Sequence, residues 1–170
     1  MDNENDIRMK ELAELLRQEQ PRLMRYACYR LGDTDDAKDA LQDTCHKLCD
    51  KLTDEKSDEV KNLRSYIFRT LSNVCLSRLS QSGRLKTIPL DSRLDMADIQ
   101  YESNEEDIKR IVKLLGEIPE EQAEVIRLRI YGDNSFAQVA EILSVPLPTV
   151  KSRFLYGLEK IRKAMKQTKN

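Results

Sequence analysis

Apolar residues recur near a period of 3.6 along most of the chain, the spacing that lines one face of an α-helix. Ile7, Leu12, Leu15 and Leu16 make a first run, and Leu23, Tyr26, Ala27 and Leu31 make another after Pro21, so two amphipathic helices are expected. Gly32 suits the left-handed residue that ends a helix, and "DTDD" supplies an N-cap and an acidic first turn that favours the helix dipole. A third helix should run to about Leu52 with Ala37, Leu41, Cys45, Leu48 and Leu52 inward. Asp36, Asp39, Gln42 and Asp43 line another of its faces. After the polar turn "TDEKSDE", a fourth helix is expected from about Val60 to Leu79, with Leu63, Ile67, Leu71, Val74 and Leu79 inward.

Periodicity stops between Gln81 and Glu106, where Ser, Gly, Pro and acids mix, and this stretch reads as an extended flexible linker. Ile108, Ile111, Val112, Leu114 and Leu115 then begin a second helical unit. Pro119, tolerated in a first helical turn, opens "EEQAEVIRLRIY", and Gly132 closes it. The pattern predicts an all-α protein of two small domains, residues 1–80 and 107–170, joined by residues 81–106.

"SFAQVAEIL" carries a capping Ser135 and apolar Phe136, Val139, Ala140, Ile142 and Leu143 at helical spacing. "SVPLP" breaks it, because each proline lacks a backbone donor and keeps its predecessor out of the helical region. A new helix starts near Leu147 or Pro148. Val150, Phe154, Leu158 and Ile161 form its stripe, with Lys151, Ser152, Arg153 and Tyr156 outside. That is a helix-turn-helix, whose second helix can enter a DNA major groove.

Charge sharpens the picture. The 170 residues carry a net charge of −1, but Asp33 to Glu59 holds a net −6, Lys61 to Lys86 has six bases and no acid, and Thr149 onward holds a net +6. The acidic and basic helices are expected to present opposite faces. Hydrophobic content of 39%, charged content of 35% and no Trp fit a very soluble helical protein. No apolar run approaches the roughly 20 residues of a membrane span, and the start lacks a signal-peptide pattern, so the cytoplasm is expected. Cys28, Cys45, Cys49 and Cys75 all fall in helical segments and are expected as reduced core residues. Cys45, His46 and Cys49 would supply at most part of a metal site, and neither metal nor cofactor is expected.

The run from Ile118 to Arg162, with its Ile-Pro opening and "TVKSR", resembles region four of bacterial sigma factors, the promoter-reading part. "DDAKDALQDTCHKL" and "LRSYIFRTLSNVCLSRL" resemble successive segments of region two. Order and spacing fit, and without other sigma regions the chain resembles the extracytoplasmic-function (ECF) group. It departs from the family at Cys49, where Trp is frequent, at Ser77, where Asp is frequent, and at Ser144 and Pro148, where Gly is common.

The resemblance implies a promoter-specificity factor that binds core RNA polymerase and promoter DNA and is not an enzyme; a monomer is the default expectation for the free chain. Asp36, Asp39, Leu41, Gln42 and Asp43 would bind core polymerase. Lys61, Asn62, Arg64, Arg69, Asn73 and Arg78 would engage the promoter −10 element, with Tyr66 or Phe68 offering a stacking face. Thr149, Lys151, Ser152, Arg153 and Tyr156 would meet the −35 element. An anti-sigma protein masking both domains is a further implied partner. Two rival readings are a stand-alone helix-turn-helix regulator and a sigma-like mimic that binds a regulator without initiating transcription. Neither a nucleophile–base pair nor a glycine-rich phosphate loop points to catalysis.

Overall fold

The computed structural model describes residues 2–54, 62–83 and 105–167, all of whose regular elements are helices. The N-terminal half holds α1 (Asp2–Leu31), α2 (Thr34–Thr53) and α3 (Leu63–Gln81). In the C-terminal half stand α4 (Glu105–Leu115), α5 (Glu120–Ile126), α6 (Phe136–Leu143) and α7 (Leu147–Gln167). A single π-helical turn, Arg127–Tyr131, continues α5. Of the expected linker, residues 84–104 lie outside the described residues.

Pro21 does not divide the first segment: α1 runs through it for 30 residues. A proline in a helix interior costs about 3 kcal/mol. On either side of it Leu12, Leu23 and Tyr26 are each no more than 1% exposed. Burying such a side chain is worth about 1.5–3 kcal/mol, so packing of one continuous apolar face outweighs the break. Gly32, at φ 73°, ends the helix as expected, and Asp33 caps α2 by accepting from the backbone N–H groups of Asp35 and Asp36.

The inward face of α2 is rotated from the expected one. Ala37, Ala40, Thr44, Leu48 and Leu52 are buried, while Leu41 and Cys45 are only half-buried. Ala40 and Thr44 are short enough for close approach to a neighbouring helix. Thr44 meets its polar need locally by donating to the Ala40 carbonyl at 2.8 Å. On α3 the buried apolar set is Ile67, Phe68, Leu71, Val74, Cys75 and Leu79, with Leu63 half-buried.

The two halves, expected as separate heads on a tether, pack against each other. α1 meets the π-helical turn and α3 meets α6. Tyr29 and Tyr131 stack at 3.9 Å between centroids with planes 8° apart. Beside them, Glu120 Oε1 accepts from Arg30 at 2.7 Å and from Arg127 at 2.8 Å, and Glu124 accepts from Tyr26 and Ser72. Burial opposes the charge on Arg127, but the Glu124 and Glu120 carboxylates outweigh it and hold the guanidinium pKa above its ordinary value.

Candidate nucleic-acid interface

The helix-turn-helix is built by local chemistry. Ser135 and Gln138 form a reciprocal capping box that starts α6, each side chain satisfying the other's backbone N–H. Ser144, at φ 55°, ends it in the left-handed region, and α7 begins three residues later. Val150, Gly157 and Ile161 are buried, and Phe154 meets Phe136 edge-to-face at 5.0 Å. Gly157 sits at a close approach of α7 to α5: a Cβ there would stand 2.7 Å from Ile126 Cδ1, so that side chain would have to shift.

Each residue of a helix advances about 100°, so the face opposite Val150 and Ile161 can be laid out in order. Lys151 stands on one flank, Arg153 on the other, and Ser152, Leu155 and Tyr156 between them. Exposure agrees: Lys151 and Ser152 are exposed, Tyr156 is 60% exposed and Leu155 65%. Thr149 is half-buried. Arg153 leans back toward Glu121 at 3.7 Å, a pair open enough to water to yield to a phosphate. Leu155 joins them on this face. Its signal in the sequence is an apolar residue outside the Val150–Phe154–Leu158–Ile161 stripe.

The candidates on α3 are not gathered on one open face. Asn62 caps the helix and donates to Glu141 across the junction of the halves. Arg64 donates to Glu19 at 3.1 Å and lies over the Phe68 ring at 4.9 Å. Arg69 reaches the end of α6, donating to the carbonyls of Ile142 at 2.8 Å and Glu141 at 2.9 Å and to Ser144 Oγ. Asn73 is exposed and Lys61 lies outside the described residues. Phe68 is fully buried and offers no stacking face, whereas Tyr66 is half-buried.

Asp36, Asp39 and Asp43 share a strip of α2, as residues three and four apart do. Asp39, Gln42 and Asp43 are exposed; Asp36 and Leu41 are half-buried. Contrary to the expectation of opposite faces, the acidic and basic helices meet along one edge, where Arg78 donates to Asp43 at 2.6 Å. That bond raises the Arg78 pKa, partial burial opposes it, and the charges of Asp43, Asp39 and Asp36 add to the rise. The reason is that α3 packs beside α2, so its flank faces the carboxylate strip.

The cysteines form no disulfide. Burial pushes the Cys75 thiol up to about 12. Among the described residues no three His, Cys, Asp or Glu side chains are grouped to hold a metal ion, and no helix is long and apolar enough to cross a membrane.

Residues 15–85 match the family model of sigma-70 region 2, and residues 114–163 match that of sigma-70 region 4. The chain belongs to the sigma-70 family. It is 33% identical over 75 residues to the ECF RNA polymerase sigma factor RpoE of Cereibacter sphaeroides, a match covering 44% of this chain and 40% of that relative. The match thus spans less than half the length of that curated relative. Two solved structures share the fold. The sigma factor RpoE of Bartonella quintana, in complex with the anti-sigma factor NepR, superposes with a TM-score of 0.65 at 23% identity, covering 92% of this chain and 98% of that one. CnrH in complex with the cytosolic domain of CnrY gives 0.65 at 20% identity, covering 94% of this chain and 90% of that one. In sigma-70 terms, the helices from the middle of α1 to α3 are region 2 and those from the end of α4 to α7 are region 4.

Proposed function

We propose that the chain is a promoter-specificity factor of the ECF group, which binds core RNA polymerase and directs initiation by recognising −10 and −35 elements. The observation that carries the reading is the outward face of α7. Lys151, Ser152, Leu155, Tyr156 and Arg153 stand there on a capped helix-turn-helix, in the same chain as a region 2 bundle with an acidic strip.

In this reading Lys151 and Arg153 reach base edges or adjacent phosphates of the −35 element, Thr149, Ser152 and Tyr156 position the helix, and Leu155 contacts a thymine methyl. Asp36, Asp39, Leu41, Gln42 and Asp43 bind core polymerase. Asn62, Arg64, Arg69, Asn73 and Arg78, with Lys61 before them, bind the −10 strand once its bases are extruded. The division into residues 1–80, 81–106 and 107–170 gives two modules that polymerase aligns on one promoter. The chain acts in the cytoplasm without a catalytic step of its own. An anti-sigma factor is a partner in keeping with the two structural relatives.

The test combines the purified chain with core polymerase and a promoter library and reads specific run-off transcripts. Specific transcripts support the proposal. Sequence-specific DNA binding without polymerase would instead favour a stand-alone regulator, and partner binding without either would favour a mimic.

A further inference from the structure

Helix α2 carries two cysteines four positions apart, Cys45 and Cys49, both half-buried and both free thiols. Four residues of a helix advance about 40° around the axis and about 6 Å along it, so the two thiols share a face. Cβ atoms at this spacing stand about 5–6 Å apart. A disulfide needs them at about 3.5–4.5 Å, so an intact α2 disfavours direct oxidation of the pair. A single bridging metal ion fits the spacing better. With a metal–sulfur bond of about 2.3 Å it holds two sulfurs up to about 4.6 Å apart. The thiols also sense each other: burial first, and then the charge of Cys49, raises the Cys45 pKa. Two thiolates here repel unless a cation lies between them.

The number of ligands selects the ion. Zinc in structural sites takes four, and among the described residues no third His, Cys, Asp or Glu joins the pair in a group. Soft thiolates favour copper(I), which two sulfurs can satisfy. We propose that Cys45 and Cys49 together bind one soft monovalent cation of the copper(I) class, and that the ion weakens the grip of α2 on core polymerase. On binding, two S–H bonds break and two S–Cu bonds form. Two protons pass to solvent, no electron is transferred, and the neutral pair becomes a site of net charge −1. The net −6 of Asp33 to Glu59 draws a cation toward this helix. Leu41 and Gln42 stand four and three residues before Cys45, the spacings that make neighbours on a helix surface. Both are assigned above to core polymerase, and the effect on polymerase rests on that assignment. Coupling between two sites is reciprocal and commonly amounts to about 5–150-fold in affinity.

The test uses the full-length reduced chain without oxygen, with free copper(I) set at defined levels by a competing chromophoric chelator. The wild type should take up one copper(I) per chain. Cys45→Ser and Cys49→Ser should each weaken uptake by more than about a hundredfold, the upper range for loss of a mere outer-shell partner. Circular dichroism of both variants checks that the helices remain. In a titration with core polymerase, copper(I) should weaken binding of the wild type by about fivefold or more and leave the double serine variant unchanged. No uptake, or uptake retained by the double variant, overturns the site; uptake with unchanged polymerase affinity overturns the coupling. Failure of the copper-free wild type to bind polymerase counts instead against the sigma reading, and the uptake measurement still decides the site.

Discussion

Arg78 on α3 donates to the Asp43 carboxylate on α2 at 2.6 Å, so one residue assigned to DNA is paired with one assigned to polymerase. The side chains are 29% and 51% exposed. An ion pair in such contact with water is worth about 0.2–1 kcal/mol, which makes it a poor structural anchor.

It follows that Asp43→Asn should lower the stability of the chain by less than about 1 kcal/mol, read from urea unfolding. Affinity for core polymerase should fall by more than that loss accounts for, about tenfold in a pull-down titration. Equal losses in the two measurements would show that Asp43 serves only the fold.

Arg153→Ala should weaken −35 recognition while core-polymerase binding survives. If Arg153 neutralises one phosphate, the dependence of log affinity on log salt should become shallower by about 0.9, measured with −35 duplexes in the presence of polymerase. Loss of both activities would point to unfolding of the C-terminal half.

Gly157→Val should destabilise the chain by about 1–3 kcal/mol, the usual range for overpacking. A Cβ at 157 already meets Ile126 Cδ1 at 2.7 Å and Gln122 Cβ at 3.3 Å, and a branched side chain adds two methyl groups to that contact. Gly157→Ala should cost less, because the helix propensity gained, about 1 kcal/mol, offsets part of the clash. Thermal unfolding followed by circular dichroism measures both.

Removing the Glu124 carboxylate leaves the Tyr26 and Ser72 hydroxyls without their acceptor and takes one of two carboxylates from Arg127, which is 4% exposed and still donates to Glu120 at 2.8 Å. Glu124→Ala should therefore cost about 1–3 kcal/mol, the penalty of unpaired buried donors, and Glu124→Gln less, since the amide oxygen still accepts from Tyr26 and Ser72. Near-equal melts for the two variants would remove the network from the account of how the halves hold together.

Cys75 should resist alkylation at pH 8 in the native chain, while half-buried Cys45 and Cys49 react first, read by mass spectrometry of labelled peptides. Its thiol pKa is raised by burial, so the folded state keeps a proton that the unfolded chain releases near 8.5. The associated stability is complete below that value and is lost as pH rises toward about 12. Tyr26 works in the same direction at higher pH: burial first, then the Glu124 charge, lifts its hydroxyl pKa well above the ordinary value.

Much of the fold was legible because its signals are local. The Asp33 cap, the left-handed Gly32, the Ser135–Gln138 box and the Pro146–Pro148 break each depend on chemistry within four residues. The Val150–Ile161 stripe of α7 placed Lys151, Ser152 and Tyr156 outside the core, and they stand there. Less legible were the α2 face, where Ala40 and Thr44 replace Leu41 and Cys45 inside, and the passage of α1 through Pro21. In both cases the neighbour, rather than the helix's own pattern, chose the buried side.

Sequence alone determined the helices, their caps and the order of acidic, basic and apolar surfaces, since each follows from backbone propensity and spacing within a few turns. Only the tertiary structure decided what those surfaces face. Arg69 meets the end of α6, Arg78 meets Asp43, and Tyr29 meets Tyr131 because packing brings together residues dozens of positions apart. A charge read along the chain shows its sign and its helix; the partner that spends it depends on how the halves dock.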